Sequence, residues 1–210
     1  MGFVSGGVNY YGKRKLRVIT DCTKKFYKTW DQDTYERFLK MFELDESKTP
    51  EQLSEGMKVK YSLALALSHR AKLLILDEPT SGLDPISRDE LLEVFLNLVE
   101  EEKVSILFST HITSDLDKCA DDITYIQKGK MVTSMDMKEF VSQYRLVDIP
   151  FTDKDKLDSM PLIGVSRSKS GYSSIVKIED LSKVPYEPKE ADLESIMVHM
   201  ERTDAGRDEE

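Results

Sequence analysis

The residues best suited to chemistry stand in the run Leu73-Leu74-Ile75-Leu76-Asp77-Glu78-Pro79. Four apolar residues closed by two carboxylates describe a buried parallel strand that delivers acids to the crevice where open α/β sheets bind ligands. Asp77 suits Mg²⁺, an ion that keeps part of its water shell and is held by few protein oxygens. Glu78 can accept a proton from an attacking water. Neighbouring strand residues point to opposite sides, so the two acids can hold separate roles. A solvated strand end would carry the same pattern, and the surrounding text decides between the readings. Thr80-Ser81-Gly82-Leu83-Asp84-Pro85 follows at once, Leu53-Ser54-Glu55-Gly56-Met57 lies upstream, and Ser109-Thr110-His111 sits just past the next apolar run.

Each neighbour has its own chemistry. Ser54 opens a Leu/Ala-rich helical stretch, so its hydroxyl and the N–H groups after it can receive a phosphate at the positive end of the helix dipole. A plain N-cap would look the same locally. His111, past the end of a strand, can donate a hydrogen bond to an anion; His69 and His199 have no such company and read as surface or packing residues.

The elements that must position these groups alternate. Gly2–Ser5 reads as a short buried strand, and Tyr35, Phe38, Leu39 and Phe42 form the stripe of an amphipathic helix capped by Asp31 or Asp33. A helix over about 56–69 precedes the strand 73–76. Pro85 then opens a helix carrying Leu91, Leu92, Phe95, Leu96 and Val99 on one face. An apolar run at 104–108, a helix at 114–120, the strand Ile123–Ile126 and a turn at 127–130 follow. Strands separated by helices of this length predict an α/β fold with a parallel sheet. After Val147 the rhythm changes to short β runs at 162–165 and 175–178 around Lys169-Ser170-Gly171, then a helix near 192–200. The expected organisation is a first domain over 1–147, with a helical subdomain at about 7–55, a small α+β accessory domain over 148–202 and a polar tail at 203–210.

Composition bounds the function. The 210 residues are 40% hydrophobic and 33% charged, ordinary for a globular protein. No apolar run approaches the roughly 18 residues of a membrane span, and no signal-like apolar region follows Met1. Two cysteines, Cys22 and Cys119, cannot build a disulfide scaffold or a structural zinc site by themselves, and the expected compartment is cytosolic. The net charge is −9, yet residues 1–30 hold seven Lys/Arg against the single acid Asp21, which leaves the rest at −15. An acidic body argues against nucleic-acid binding, which rests on neutralising many phosphates. The basic segment could face an anionic membrane surface or an acidic partner, or be a solvated face.

Four of these motifs, in this order, resemble the ATP-binding subunits of ABC transporters over residues 50–132. Asp77 and Glu78 match the Walker B motif, Ser81-Gly82-Leu83-Asp84 the D-loop, Leu53 to Met57 the signature motif and His111 the switch histidine. The resemblance implies a P-loop NTPase fold of the ABC type and ATP and Mg²⁺ as cofactors. Asp77 would bind the metal, Glu78 and His111 would be catalytic, and Ser54, Glu55, Gly56 and Asp84 would contact ATP. It also implies a transmembrane permease as partner, a homo- or heterodimer with another ABC ATPase subunit, and a peripheral place on the inner face of the cell membrane. Residues 10–42 would correspond to the helical subdomain that docks on the permease. The stretch 191–198 resembles, more weakly, the ending of bacitracin-type ATPases.

Two departures matter. The signature reads Ser-Glu-Gly-Met where the family most often has Ser-Gly-Gly-Gln, so Glu55 brings a negative charge toward the γ-phosphate. Two like charges about 4 Å apart repel by ~4 kcal/mol at an effective dielectric near 20 unless Glu55 turns away. Second, the one P-loop look-alike, Gly7-Val8-Asn9-Tyr10-Tyr11-Gly12-Lys13-Arg14, places Arg14 where a Mg²⁺-binding hydroxyl belongs and crowds its backbone with two tyrosines. The usual Q-loop glutamine is also replaced near Gly6. The expectation is a chain without the first ~80 residues of an ABC ATPase, Walker A strand included. The strand Ile123–Ile126 would then lose its neighbour and leave an open edge and an uncovered apolar face. The expected function is a truncated ATP-hydrolysing subunit driving export. The alternatives are a non-catalytic partner lending its signature motif to a full-length subunit, and a soluble ABC ATPase outside transport.

Overall fold

The three apolar runs that end in Ser or Asp become strands of one sheet. They are β1 (Gly2–Ser5), β2 (Leu73–Asp77) and β3 (Ser105–Ser109), all parallel, in the order β1-β2-β3. The computed structural model describes residues 1–5 and 12–205. Residues Gly7 to Tyr11 of the P-loop look-alike and the Q-loop position Gly6 lie outside them. Two units form: Met1–Asp115 and Leu116–Glu210.

In the first unit the helices are α1 (Leu16–Thr23), α2 (Gln32–Met41), α3 (Glu55–Ser68) and α4 (Pro85–Glu100), with the start of α5 (Thr113–Cys119). Asp31 is the N-cap of α2, accepting from the Thr34 N–H at 3.1 Å. Tyr35, Phe38 and Leu39 are buried, as their spacing predicts. Helix α3 is buried almost all round from Tyr61 to Ser68, the signature of a central helix rather than a surface one. It sits so close to β1 that a Cβ on Gly2 would press on Ala66. At the other end of the sheet Phe95 of α4 meets Phe108 of β3, ring centroids 5.9 Å apart. The hydroxyls of Tyr35 and Tyr61 both lie within 2.8 Å of Thr20 Oγ1, which ties α1, α2 and α3 through a buried polar knot. Burial drives the Tyr35 phenol far above its ordinary pKa of 10.0.

Register decides what the sheet shows to water. Val4, Leu74 and Leu76 face the helices, whereas Phe3, Ile75 and Leu107 form one row across the three strands on the opposite face. Phe3 is 65% and Leu107 58% exposed. Parallel sheets are normally covered on both faces, whereas this row, Phe3 and Leu107 above all, stays largely open to solvent. Replacing Phe3 and Leu107 together by Thr should cut binding of the dye ANS several-fold while leaving the melting temperature within a few degrees, because neither side chain is packed. Unchanged dye binding would place the exposed apolar surface elsewhere.

The second unit begins with a hairpin. β4 (Asp122–Gln127) pairs antiparallel with β5 (Lys130–Asp136), a strand the sequence reading did not anticipate. Positive φ at both Lys128 (47°) and Gly129 (73°) makes the connection a primed hairpin turn, whose twist folds β5 back on β4. Thus Ile123–Ile126, grouped from sequence with the parallel strands, is not hydrogen-bonded to them. A second antiparallel sheet has the order β7-β8-β6-β9, from β6 (Tyr144–Pro150), β7 (Ile163–Arg167), β8 (Gly171–Lys177) and β9 (Pro188–Glu190). The change of rhythm at Val147 therefore lies inside a strand. Helices α6 (Met137–Ser142) and α7 (Leu193–Ala205) complete this unit, and Phe140, Tyr144, Ile175 and Ile196 share a core with Ile123.

His199, on α7, is 4% exposed and its Nδ1–H donates to the Gly164 carbonyl of β7, while Ser173 Oγ lies 3.5 Å from Nε2. Burial depresses its pKa below 6.5, with the carbonyl opposing and Arg202 adding to the depression. The neutral ring is therefore the folded form, and the stability it contributes is present above about pH 6.5 and lost as pH falls through the lower folded value. Amide protection factors in β7 and β8, taken relative to the intrinsic exchange rate at each pH, should fall on going from about pH 7 to pH 5, and His199→Gln should flatten that dependence. A slope unchanged in the variant would contradict this.

Candidate functional site

The ends of β2 and β3 bring the chemistry together. Asp77 and Ser109 are register partners, and Ser109 Oγ donates to Asp77 Oδ1 at 2.7 Å. The backbone N–H of Glu78 points to the same residue, lying 3.1 Å from the Ser109 carbonyl and 3.0 Å from Ser109 Oγ. Ser109 was not singled out as a site residue from sequence; its place opposite Asp77 across two parallel strands is the signal that finds it.

Glu78 has left the strand. Its φ of 46° is in the left-handed region, which costs a non-glycine residue on the order of 1–3 kcal/mol and persists only where surroundings over-determine it. The turn turns the side chain away from the strand line and toward His111, whose Nδ1 lies 3.0 Å from both Oε1 and Oε2. Only a ring with a proton on Nδ1 can donate there, which leaves Nε2 to face solvent on a side chain 73% exposed. Asp77, Glu78 and His111 are thus one cluster, as the sequence leads one to expect.

The remaining predicted residues form a second group. Ser54 is the N-cap of α3, accepting from the Met57 N–H at 3.2 Å. The first N–H groups of such a helix have no intrahelical acceptor and suit an anion. Glu55 Oε1 is bound by Lys58 Nζ at 2.6 Å, one turn along the same helix, so the charge that would repel a phosphate is drawn to a cation. Gly56 is buried, and a Cβ there would lie 3.7 Å from Ser87 and 3.9 Å from Leu83. Asp84 is the N-cap of α4: Oδ1 accepts from the N–H groups of Ile86 and Ser87, and Oδ2 from the Ser87 hydroxyl at 2.6 Å. The Ser87 bonds hold its carboxyl below the usual carboxylate range. Local capping therefore occupies Asp84. His69 and His199 are buried; the His69 ring stacks on Tyr27 at 4.1 Å.

Among the described residues no three His, Cys, Asp or Glu side chains come together as a metal cluster. The donor set nonetheless fits Mg²⁺, which is commonly held by one or two carboxylates together with substrate phosphates and waters. Asp77 is exposed and offers hard oxygen, with its orientation fixed by Ser109. An acid for a hydrated cation, a carboxylate beside a histidine, and a capped helix start for an anion together suit attack of water on a phosphoryl group.

Comparisons with known proteins find ATP-binding proteins of ABC transporters over part of the chain. A family profile described as "AAA domain, putative AbiEii toxin, Type IV TA system" matches residues 23–116. The ABC transporter ATP-binding protein YtrB of Bacillus subtilis is 28% identical over 142 residues, covering 68% of this chain and 49% of YtrB. The bacitracin transport ATP-binding protein BcrA of Bacillus licheniformis is 35% identical over 104 residues, 49% of this chain and 34% of that one. The lantibiotic transport ATP-binding protein SrtF of Streptococcus pyogenes is 44% identical over 81 residues, 39% and 35% of the two chains. The chain spans about half or less of the length of these curated relatives. A solved ATP-binding subunit of an ABC transporter superposes with a TM-score of 0.55 at 27% identity, covering 67% of this chain and 61% of that one. The ATP-binding cassette MJ0796, solved as a dimer with ADP and Pi, shares the fold with a TM-score of 0.53 at 20% identity over 65% and 63% of the chains. No helix among the described residues is long and apolar enough to cross a membrane.

Proposed function

We propose that this chain, homologous over part of its length to the ATP-binding subunits of ABC transporters, supplies the hydrolytic face of such a subunit and helps couple ATP hydrolysis to export through a membrane permease. The observation that carries this reading is the convergence of Asp77, Glu78, Ser109 and His111 at the ends of two adjacent parallel strands. In this reading Asp77 orders Mg²⁺, which would polarise the γ-phosphate and neutralise charge. Glu78 accepts a proton from the attacking water, and His111 donates to the phosphoryl oxygens once it swings from Glu78. Ser54 and Gly56, with the first N–H groups of α3, receive the γ-phosphate of a nucleotide held by a second ATPase subunit, homo- or heterodimeric. Asp84 approaches the same nucleotide if the α4 cap is shared across that contact. The unit Met1–Asp115 would carry this work at the inner face of the membrane, and the unit from Leu116 onward would be accessory.

One observation favours a second reading, a non-catalytic partner that lends only Ser54 and Gly56. Arg14 stands where a P-loop needs a hydroxyl for Mg²⁺. Calorimetric titration separates the two: micromolar binding of MgATP by this chain alone supports the hydrolytic reading and rules the partner-only reading out. Absence of binding alone, with restored turnover on adding a P-loop-bearing subunit whose own Walker B glutamate is replaced by Gln, supports a hydrolytic face completed in trans. Absence of both overturns the hydrolytic reading.

A further inference from the structure

Thr80 and Asp115 are among the few buried polar side chains, 0% and 1% exposed, and Thr80 Oγ1 donates to Asp115 Oδ2 at 2.5 Å. We infer that Asp115 is a positioning residue which, through Thr80, holds Glu78 and His111 in contact. The inference rests on the hydrolytic reading for its purpose, though not for its geometry.

Two segments leave the sheet side by side, residues 78–80 after β2 and residues 110–115 after β3, the second running into the start of α5. They are joined at three levels: Asp77 and Glu78 to Ser109, Glu78 to His111, and Thr80 to Asp115. Only the last join is wholly buried. The middle one pairs a left-handed Glu78 with a His111 that is 73% exposed, and exposed charged contacts hold little geometry by themselves. A strained residue needs fixed points on both sides. Ser109 supplies one before Glu78, and Thr80 supplies the other two residues later. His111 is bracketed likewise, because the Ile112 N–H donates to Thr110 Oγ1 at 3.0 Å and the Asp115 N–H to the Ile112 carbonyl at 3.1 Å.

The same anchor reaches further. Ser81 N–H donates to the Glu78 carbonyl and Leu83 N–H to the Thr80 carbonyl, each at 3.2 Å, so the turn that Asp115 pins leads directly into the Asp84 cap of α4. Leu83 in turn lies under Gly56. Asp115 therefore stands where the Glu78–His111 cluster and the Ser54–Gly56 helix start share a support.

The test reads the His111 ring directly. In the chain labelled with ¹⁵N-histidine, at about pH 8 where a free imidazole is neutral, the ring nitrogens report which of them carries the proton. His111→Gln identifies its signals among the three histidines. The wild type is expected to show mostly the Nδ1–H form, since Glu78 accepts from that nitrogen. Asp115→Ala and Thr80→Val should each move most of the population to the Nε2–H form that an unconstrained ring prefers, and Thr80→Ser, which keeps the hydroxyl, should retain the wild-type pattern. If Asp115→Ala does not fold, the comparison of Thr80→Val with Thr80→Ser decides alone. An unchanged His111 pattern in folded Thr80→Val overturns the inference. These spectra need no nucleotide, so their outcome is independent of whether the chain binds MgATP. In an assembly that hydrolyses ATP, Asp115→Ala should lower kcat about 10²-fold with KM nearly unchanged, the mark of a misplaced reacting pair. A rise in KM with kcat intact would overturn it.

Discussion

Glu78→Gln should lower ATP turnover by roughly two to four orders of magnitude in an assembly that supplies the phosphate cradle, the range lost with a general base. It should leave nucleotide bound. The amide is isosteric, and its oxygen can still accept from His111 Nδ1, so the contact now seen at 3.0 Å survives and the strained backbone is unaffected. What disappears is the ability to take a proton from water. Filter-binding of labelled ATP beside phosphate release checks both halves. Turnover at the wild-type rate would remove Glu78 from the role given to it, and loss of binding together with turnover would make it a ligand rather than a base.

Gly164→Ala should have the largest effect on folding. Gly164 has φ 59° in β7, and an added Cβ would fall on the backbone carbonyl of His199 in α7. Backbone on two packed elements cannot step aside as a flexible side chain can, and the left-handed φ adds a penalty of its own. The His199–Gly164 hydrogen bond would be lost with the clash. The unit from Leu116 onward should lose protection in hydrogen exchange throughout β6, β7 and β8, while β2 and α3 keep theirs. Retained protection around Gly164 in the variant would mean that α7 can shift away at little cost.

Much of the site is legible because its parts are local. The run Leu73–Leu76 had to be a strand, and the pair after it had to sit at the strand's end, where the structure places Asp77 and Glu78. Asp84 and Ser54 cap their helices as their positions before Pro85 and Glu55 lead one to expect. The contacts that organise the site are another matter. Ser109 acts through register, and Thr80 meets Asp115 across 35 residues; neither a pairing between strands nor the burial of a small polar side chain leaves a periodic trace. The left-handed turn at Glu78 is hidden for the same reason, since glutamate gives no hint of positive φ.

The fold divides similarly. Alternation of strands and helices reveals the parallel sheet, but Ile123–Ile126 has the same apolar pattern whether it pairs parallel or antiparallel. Its partner β5, Lys130–Asp136, carries Lys, Thr, Ser and Asp among two methionines and a valine, too polar to stand out as a strand. Only the Lys128-Gly129 turn chemistry distinguishes the hairpin. β6 was missed because Pro150 and two charged residues interrupt its apolar run, although Tyr144, Val147 and Ile149 are buried.

Residue-resolved NMR broadening by Mn²⁺, used in place of Mg²⁺ with millimolar ATP, tests the phosphate-facing role of the two strand ends most directly. Signals of Asp77, Glu78, Ser109 and His111 should broaden first in the wild type, and that selectivity should vanish in Asp77→Ala. Broadening that spreads evenly over the acidic surface, or persists around β2 and β3 in Asp77→Ala, would contradict it.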